Sequence, residues 1–254
     1  MSKLPKEHQF TDLSDYGRPV AKFIANSLKN TSFTPIHVTI AFIISGLMAI
    51  YCIIMGYYWL AAFFLIFKSI LDAADGELAR VKQKPSYTGR YLDSVADIIL
   101  NALFLSAIWY ITNISIWICF LAFFGLQLQG TLYNYYYVIL RNRFDGDTTS
   151  RVFEDKTPEA LAGEKQQHVN ILFGLYKLLY GVFDKVIYTL DSNADKGSIL
   201  PNWLMTSVST FGLGFQLLII AILLVLGLKA IIIPFFLLYT FMIFVFIAIR
   251  KILY

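Results

Sequence analysis

Apolar residues fall in long runs along the chain, and polar residues gather in a few intervals between them. The runs lie at about 36–56, from 58 to Asp72, and at 91–112, 115–140, 203–227 and 230–249. Several reach the ~20 mostly apolar residues that a helix needs to cross a bilayer, and together they predict an all-α integral membrane fold with six transmembrane helices. Residues 1–33 read differently. In "DYGRPVAKFIANSL", Asp15 is a possible cap, Pro19 suits a first turn, and Val20, Ala21, Phe23 and Ile24 recur at helical spacing. This predicts an N-terminal amphipathic helix lying in the membrane interface. Residues 34–254 are expected to form the six-helix transmembrane domain. Its segment 141–202 is polar apart from "ILFGLYKLLYGVFDKVIYTL" at 171–190. Lys177, Asp184 and Lys185 interrupt that stretch, which predicts a second interfacial helix and not a seventh span.

Charge sets the orientation. With the N-terminus inside, only Lys229 of the 21 Lys and Arg falls on the outer side and Lys68 lies within a span, the rest being cytosolic. That agrees with the positive-inside rule and puts both termini, and the polar loop expected at 73–90, on the cytosolic side. Charged residues are 15% of the chain and mean hydropathy is +0.62, against ~25% charged residues in soluble domains. The net charge of +4 is ordinary for basic cytosolic loops and gives no reason to expect a nucleic-acid partner. The polar start leads us to expect no cleavable signal peptide. Cys52 and Cys119 sit inside apolar runs as small buried hydrophobes.

Against that background, "LDAADGELARVKQKPSYTGRYLDSVADI" at 71–98 stands out. Acids in a membrane helix are costly and usually functional. Asp72 and Asp75, three apart, share one helix face; Asp93 and Asp97, four apart, share another, with Gly89 one turn before them. Two antiparallel helices joined by a cytosolic loop would turn these carboxylate pairs toward each other. Oxygen ligands of this kind suit hard divalent cations such as Mg²⁺ or Mn²⁺, and two such ions form a clamp for phosphoryl chemistry.

The spacing D-x-x-D-G-x-x-A-R-x8-G-x3-D-x3-D is filled by Asp72, Asp75, Gly76, Ala79, Arg80, Gly89, Asp93 and Asp97. At all eight positions the chain resembles the CDP-alcohol phosphotransferase (CDP-alcohol phosphatidyltransferase) family. "TPIHVT" at the first span is similar to that family's T-P-N-x-x-T, with Ile36 in place of Asn. The resemblance implies transfer of a substituted phosphate from a CDP-linked donor to an acceptor hydroxyl, with release of CMP. It also implies two Mg²⁺ or Mn²⁺ ions on Asp72, Asp75, Asp93 and Asp97, Asp97 as the group that takes the acceptor's proton, and a homodimer. Gly76, Ala79, Arg80 and Gly89 are the expected nucleotide-side residues. The small Gly76 and Ala79 admit a close nucleotide, while Arg80 either meets a phosphate or braces Asp75.

CDP-diacylglycerol with a small polar alcohol is the leading pair; CDP-choline or CDP-ethanolamine with diacylglycerol reverses the roles. "YLDS" resembles the inositol-phosphate-using branch, but Ile98 stands where several members have a basic residue. A cation transporter is the reading from another class, disfavoured because the acids cluster at one face. Lys68 reads equally as a counter-charge for the acids and as a lysine snorkelling to the surface. Asn101 reads equally as an orienter of Asp97 and as a bond between helices. "YNYYY" with Arg141 and Arg143 reads as an aromatic belt at the cytosolic interface, where the two arginines would be within reach of an anionic substrate. His8, His37 and His168 carry no assignment.

Overall fold

The computed structural model describes residues 4–144, 154, 156–196 and 200–253, and these contain helices and no strand. Part of the segment expected at 141–202 therefore lies outside the described residues. Ten α-helices follow in order: α1 Arg18–Leu28, α2 Pro35–Met55, α3 Tyr58–Val81, α4 Tyr87–Thr112, α5 Ile116–Arg143, α6 Gln166–Leu190, α7 Asn202–Val208, α8 Leu213–Val225, α9 Lys229–Tyr239 and α10 Met242–Leu253. Short 3₁₀ turns precede α1 and join α7 to α8.

Each boundary has a local cause. Pro35 opens α2, whose first turn is capped by Thr34, with the His37 ring accepting from the Thr34 amide in return. Gly56, at φ +79°, ends α2 in the left-handed conformation that glycine adopts without strain and turns the chain into α3. Asn113 ends α4 in the same way, at φ +54°. Ser86 caps α4. Asp15 does not cap α1, whose N-cap is Gly17; Asp15 pairs with Arg18 instead.

The span prediction is met in part. Among the described residues, four helices are long and apolar enough to cross a membrane: α2, α4, α5, and α9 with α10 taken as one. A fifth follows if α7 and α8, bent by 54°, are one broken span. α3 is long enough at 24 residues, yet Lys68, Asp72 and Asp75 make it too polar to qualify. It also runs past Asp72 to Val81, so most of the expected loop at 73–90 is helix and the true connection is residues 82–86. The final span is interrupted at 240–241 and holds Pro234 inside α9.

Packing puts α3 at the centre, against α1, α2 and α8, while α4 packs on α2, α5, α6 and α9. Small residues let these helices approach closely: Ala21 and Ala25 of α1, Ala49 of α2, and Ala61, Ala62 and Ala74 of α3 are buried in the core. In lipid such close van der Waals packing holds helices together where the hydrophobic effect cannot. Outside this core, large apolar side chains stand exposed in bands, among them Ile40, Ile44, Leu47 and Ile54 on α2 and Phe120 and Leu121 on α5. A water-facing surface does not carry patches of this extent, so the molecule is an integral membrane protein. Tyr57, Trp59, Tyr110 and Trp117 are all well exposed where α2 meets α3 and α4 meets α5, the position of an aromatic belt.

That belt lies at the end opposite to "YNYYY". Tyr135 and Tyr136 are buried, with their hydroxyls donating to the Asp191 carbonyl at 3.0 Å and the Asp191 carboxylate at 2.6 Å. They serve an internal ion pair between Asp191, just after α6, and Arg250 of α10.

Candidate active site

α2 packs on both α3 and α4, whereas α3 and α4 approach each other little along their backbones. Side chains fill the space between them, and those side chains are the acids. One carboxylate oxygen each from Asp72, Asp75 and Asp93 lies within 4.8 Å of the other two. The helical spacing that puts each pair on one face thus brings three of the four predicted ligands together across the gap.

Neighbours hold these carboxylates in place. Thr39 of α2, the last residue of "TPIHVT", donates to Asp75 Oδ2 at 2.8 Å. Lys68 Nζ donates to Asp72 Oδ2 at 2.8 Å and also to Asp97 Oδ1. It lies 4.5 Å from the centre of the Phe42 ring and is 1% exposed. The lysine therefore does not snorkel; it is an internal counter-charge. Asp97 joins the cluster through Lys68 and is not one of the three converging acids. Asp93 Oδ1 is buried with no hydrogen-bond partner among the described residues. A buried carboxylate oxygen left unpaired is expensive, and two further acids beside it raise the cost. A divalent cation resolves both problems, since three oxygens facing one point are the donor set such an ion takes. The residues present fit a divalent metal.

The nucleotide-side residues follow α3 for another turn. The Arg80 guanidinium lies over Gly76, its Nη atoms 3.5 and 3.6 Å from where a Cβ would stand. Gly76 thus makes room for the arginine of its own helix. Arg80 braces Glu77 at 3.1 Å, not Asp75. Glu77, 4% exposed, also pairs with Arg18 of α1, and Arg80 Nε is buried without a hydrogen-bond partner among the described residues. Ala79 is half-buried beside them. Gly89 lies in the first turn of α4 and donates its amide to Ser86 Oγ at 2.8 Å; a side chain there would press on that oxygen, with Ile36 next nearest. Arg141 is buried near the Tyr137 ring, Arg143 ends α5, and Asn101 is buried in α4.

Sequence reasoning gave no role to the segment that grips the start of α4. Glu164 accepts from the Ser86 hydroxyl and the Thr88 amide, both at 2.7 Å, and from the amides of Tyr87 and Leu161 at 3.2 and 3.1 Å. Burial alone would raise its carboxyl, but these donors outweigh burial and hold it below the ordinary glutamate value. Glu154 pairs with Arg90 and accepts from the Tyr91 hydroxyl at 2.6 Å. Tyr180 of α6 donates to the Ser94 carbonyl at 3.0 Å. Only Ser86, directly before "YTG", carries a signal a reader could use, as an N-cap.

Residues 33–156, which take in α2 to α5 and all four aspartates, match the family model described as CDP-alcohol phosphatidyltransferase. No curated protein matches the chain.

Proposed function

As the chain belongs, through residues 33–156, to the CDP-alcohol phosphatidyltransferase family, we propose that it transfers a substituted phosphate from CDP-diacylglycerol to the hydroxyl of a small polar alcohol in phospholipid synthesis. The observation that carries this reading is the convergence of Asp72, Asp75 and Asp93 around the unpaired Asp93 Oδ1. These three would hold Mg²⁺ or Mn²⁺, which supplies neutralisation of the pyrophosphate charge when bound.

The protein's own groups supply the rest. Arg80, fixed by Glu77, offers the guanidinium that binds a nucleotide phosphate, with Gly76 and Ala79 leaving space beside it. Asp97 has one oxygen engaged by Lys68, and the other accepts the proton of the acceptor hydroxyl. As that proton leaves, the acceptor oxygen bonds to the lipid-side phosphorus and the bond from that phosphorus to CMP breaks. Lys68, bonded to Asp97 Oδ1, keeps Asp97 aimed for this step.

The proposed topology has six spans with both termini and the site on the cytosolic side. α3 counts among the six because its charges turn inward: Lys68, Asp75 and Glu77 are at most 8% exposed. α1 and α6 lie in the interface; Val20 and Phe23 of α1 and Ile171, Leu178 and Val182 of α6 are exposed and apolar. A homodimer is part of the same proposal.

The test is CMP release by the protein in lipid nanodiscs with Mg²⁺ or Mn²⁺, from CDP-diacylglycerol with a panel of alcohols and, in parallel, from CDP-choline with diacylglycerol. Metal-dependent release from CDP-diacylglycerol is expected. Release from CDP-choline alone would reverse donor and acceptor, and silence from both would overturn the reading.

A further inference from the structure

The four-aspartate pattern leads to an expectation of two metal ions, with Asp97 completing the second. The side chains fit one ion and disagree with the other. A second ion using Asp97 would bridge it to an acid of the first centre, and Asp72 is the one that already shares a cation, Lys68, with Asp97. That position is taken. Lys68 Nζ is hydrogen-bonded to Asp72 Oδ2 at 2.8 Å and to Asp97 Oδ1. The ammonium is 1% exposed, so water does not reach it, and it sits against the Phe42 ring. A divalent ion between Asp72 and Asp97 would lie within hydrogen-bonding range of a fixed positive charge, in surroundings that screen little. The remaining oxygens, by contrast, suit a single ion. Asp72 and Asp75 each have one oxygen turned to a donor, Lys68 or Thr39, and one left over, while Asp93 Oδ1 has no donor.

We propose that the Lys68 ammonium stands in the place of the second metal, so that the chain binds one divalent ion, on Asp72, Asp75 and Asp93. This rests on the reading of the three acids as a metal centre and changes its composition. Lys68 is then a positioning residue with a cation's duties: it balances Asp97 and adds fixed positive charge beside the transferred phosphate. Occupying that position with a lysine removes one of the two ions that would otherwise be recruited from solution.

The test counts Mn²⁺ by electron paramagnetic resonance and equilibrium binding in nanodisc-embedded full-length protein, for wild type, Lys68→Met and Lys68→Arg. Methionine keeps the apolar stem against Phe42 and removes the charge; arginine keeps the charge. The expected result is one tight Mn²⁺ per chain in wild type and Lys68→Arg, and two in Lys68→Met, the second abolished by adding Asp97→Asn. Two ions in wild type would overturn the proposal, and so would one ion in Lys68→Met protein that remains monodisperse and as thermally stable as wild type. If Lys68→Met does not fold, the wild-type and arginine counts decide. The count is independent of turnover. One ion without CMP release would leave the lysine assignment standing and sink the proposed reaction, whereas two ions with CMP release would do the reverse.

Discussion

At the scale of single residues, two of the three converging carboxylates are held by a defined neighbour, Asp72 by Lys68 and Asp75 by Thr39. Thr39 is the most instructive of these neighbours, since it meets the centre through a hydrogen bond to Asp75 Oδ2. Thr39→Val preserves shape and removes the donor. Losing an outer hydrogen bond to a metal ligand typically costs 10–100-fold in affinity, so a Mn²⁺ titration of this variant should show weakening of about 10-fold or more with little change in thermal stability. The acids themselves were legible in the sequence, because spacings of three and four in a helix oblige side chains to share a face. Lys68 was only half legible. Its position fixes its depth and its helix face, but whether a lysine stem turns toward water or toward acids depends on what the neighbouring helix offers. Here Asp97 of α4 and the Phe42 ring decide it.

At the scale of elements, the start of α4 is set from outside its own sequence. Its first amides need acceptors; Ser86 supplies one from within, and Glu164, more than seventy residues on, supplies the rest. Removing a capping group costs about 1 kcal/mol, and Glu164→Ala should lower thermal stability by about that much. Because Glu164 titrates lower in the fold than in an unfolded chain, its stabilisation is complete above the ordinary glutamate value of about 4.3. It is lost as pH falls through the lower folded value. Melting wild type and Glu164→Gln across pH 3–6 should show their difference shrinking on the acid side; a constant difference would refute the assignment. Helix extents were the poorly legible part. The turn after Asp72 looks like loop in isolation, yet α3 continues to Val81 because Glu77 and Arg80 are paired and covered by Arg18. A polar stretch melts only if water is its best partner, and here it was not.

At the scale of the whole molecule, α6 and α10 are fastened to α5 by a buried polar lock. Asp191, fully buried, joins Arg250 of α10 and the Tyr135 and Tyr136 hydroxyls of α5. A buried charge left without its partner is strongly destabilising, so Arg250→Met should cost about 3–5 kcal/mol in unfolding measured in detergent. Tyr136→Phe, which removes one charged hydrogen bond, should cost about 1.5–3 kcal/mol. The tyrosine run was misread as an interfacial belt because its composition suits either role. Only the distant Asp191 and Arg250, which α6 and α10 bring to it, separate the two. The exposed belt sits at the far end instead, on Tyr57, Trp59, Tyr110 and Trp117.

The molecule as a whole is thus a bundle of membrane helices built around one acidic centre. The most direct measurement is CMP release from CDP-diacylglycerol as Mn²⁺ is titrated into the chelated protein, comparing wild type with Asp93→Asn. Asp93 carries the unpaired buried oxygen, and asparagine alters nothing else of comparable size. The account predicts release that begins only with added metal and falls in the variant by more than the ~10–100-fold cost of an outer hydrogen bond. Release that persists without metal, or that Asp93→Asn leaves near the wild-type rate, would contradict it.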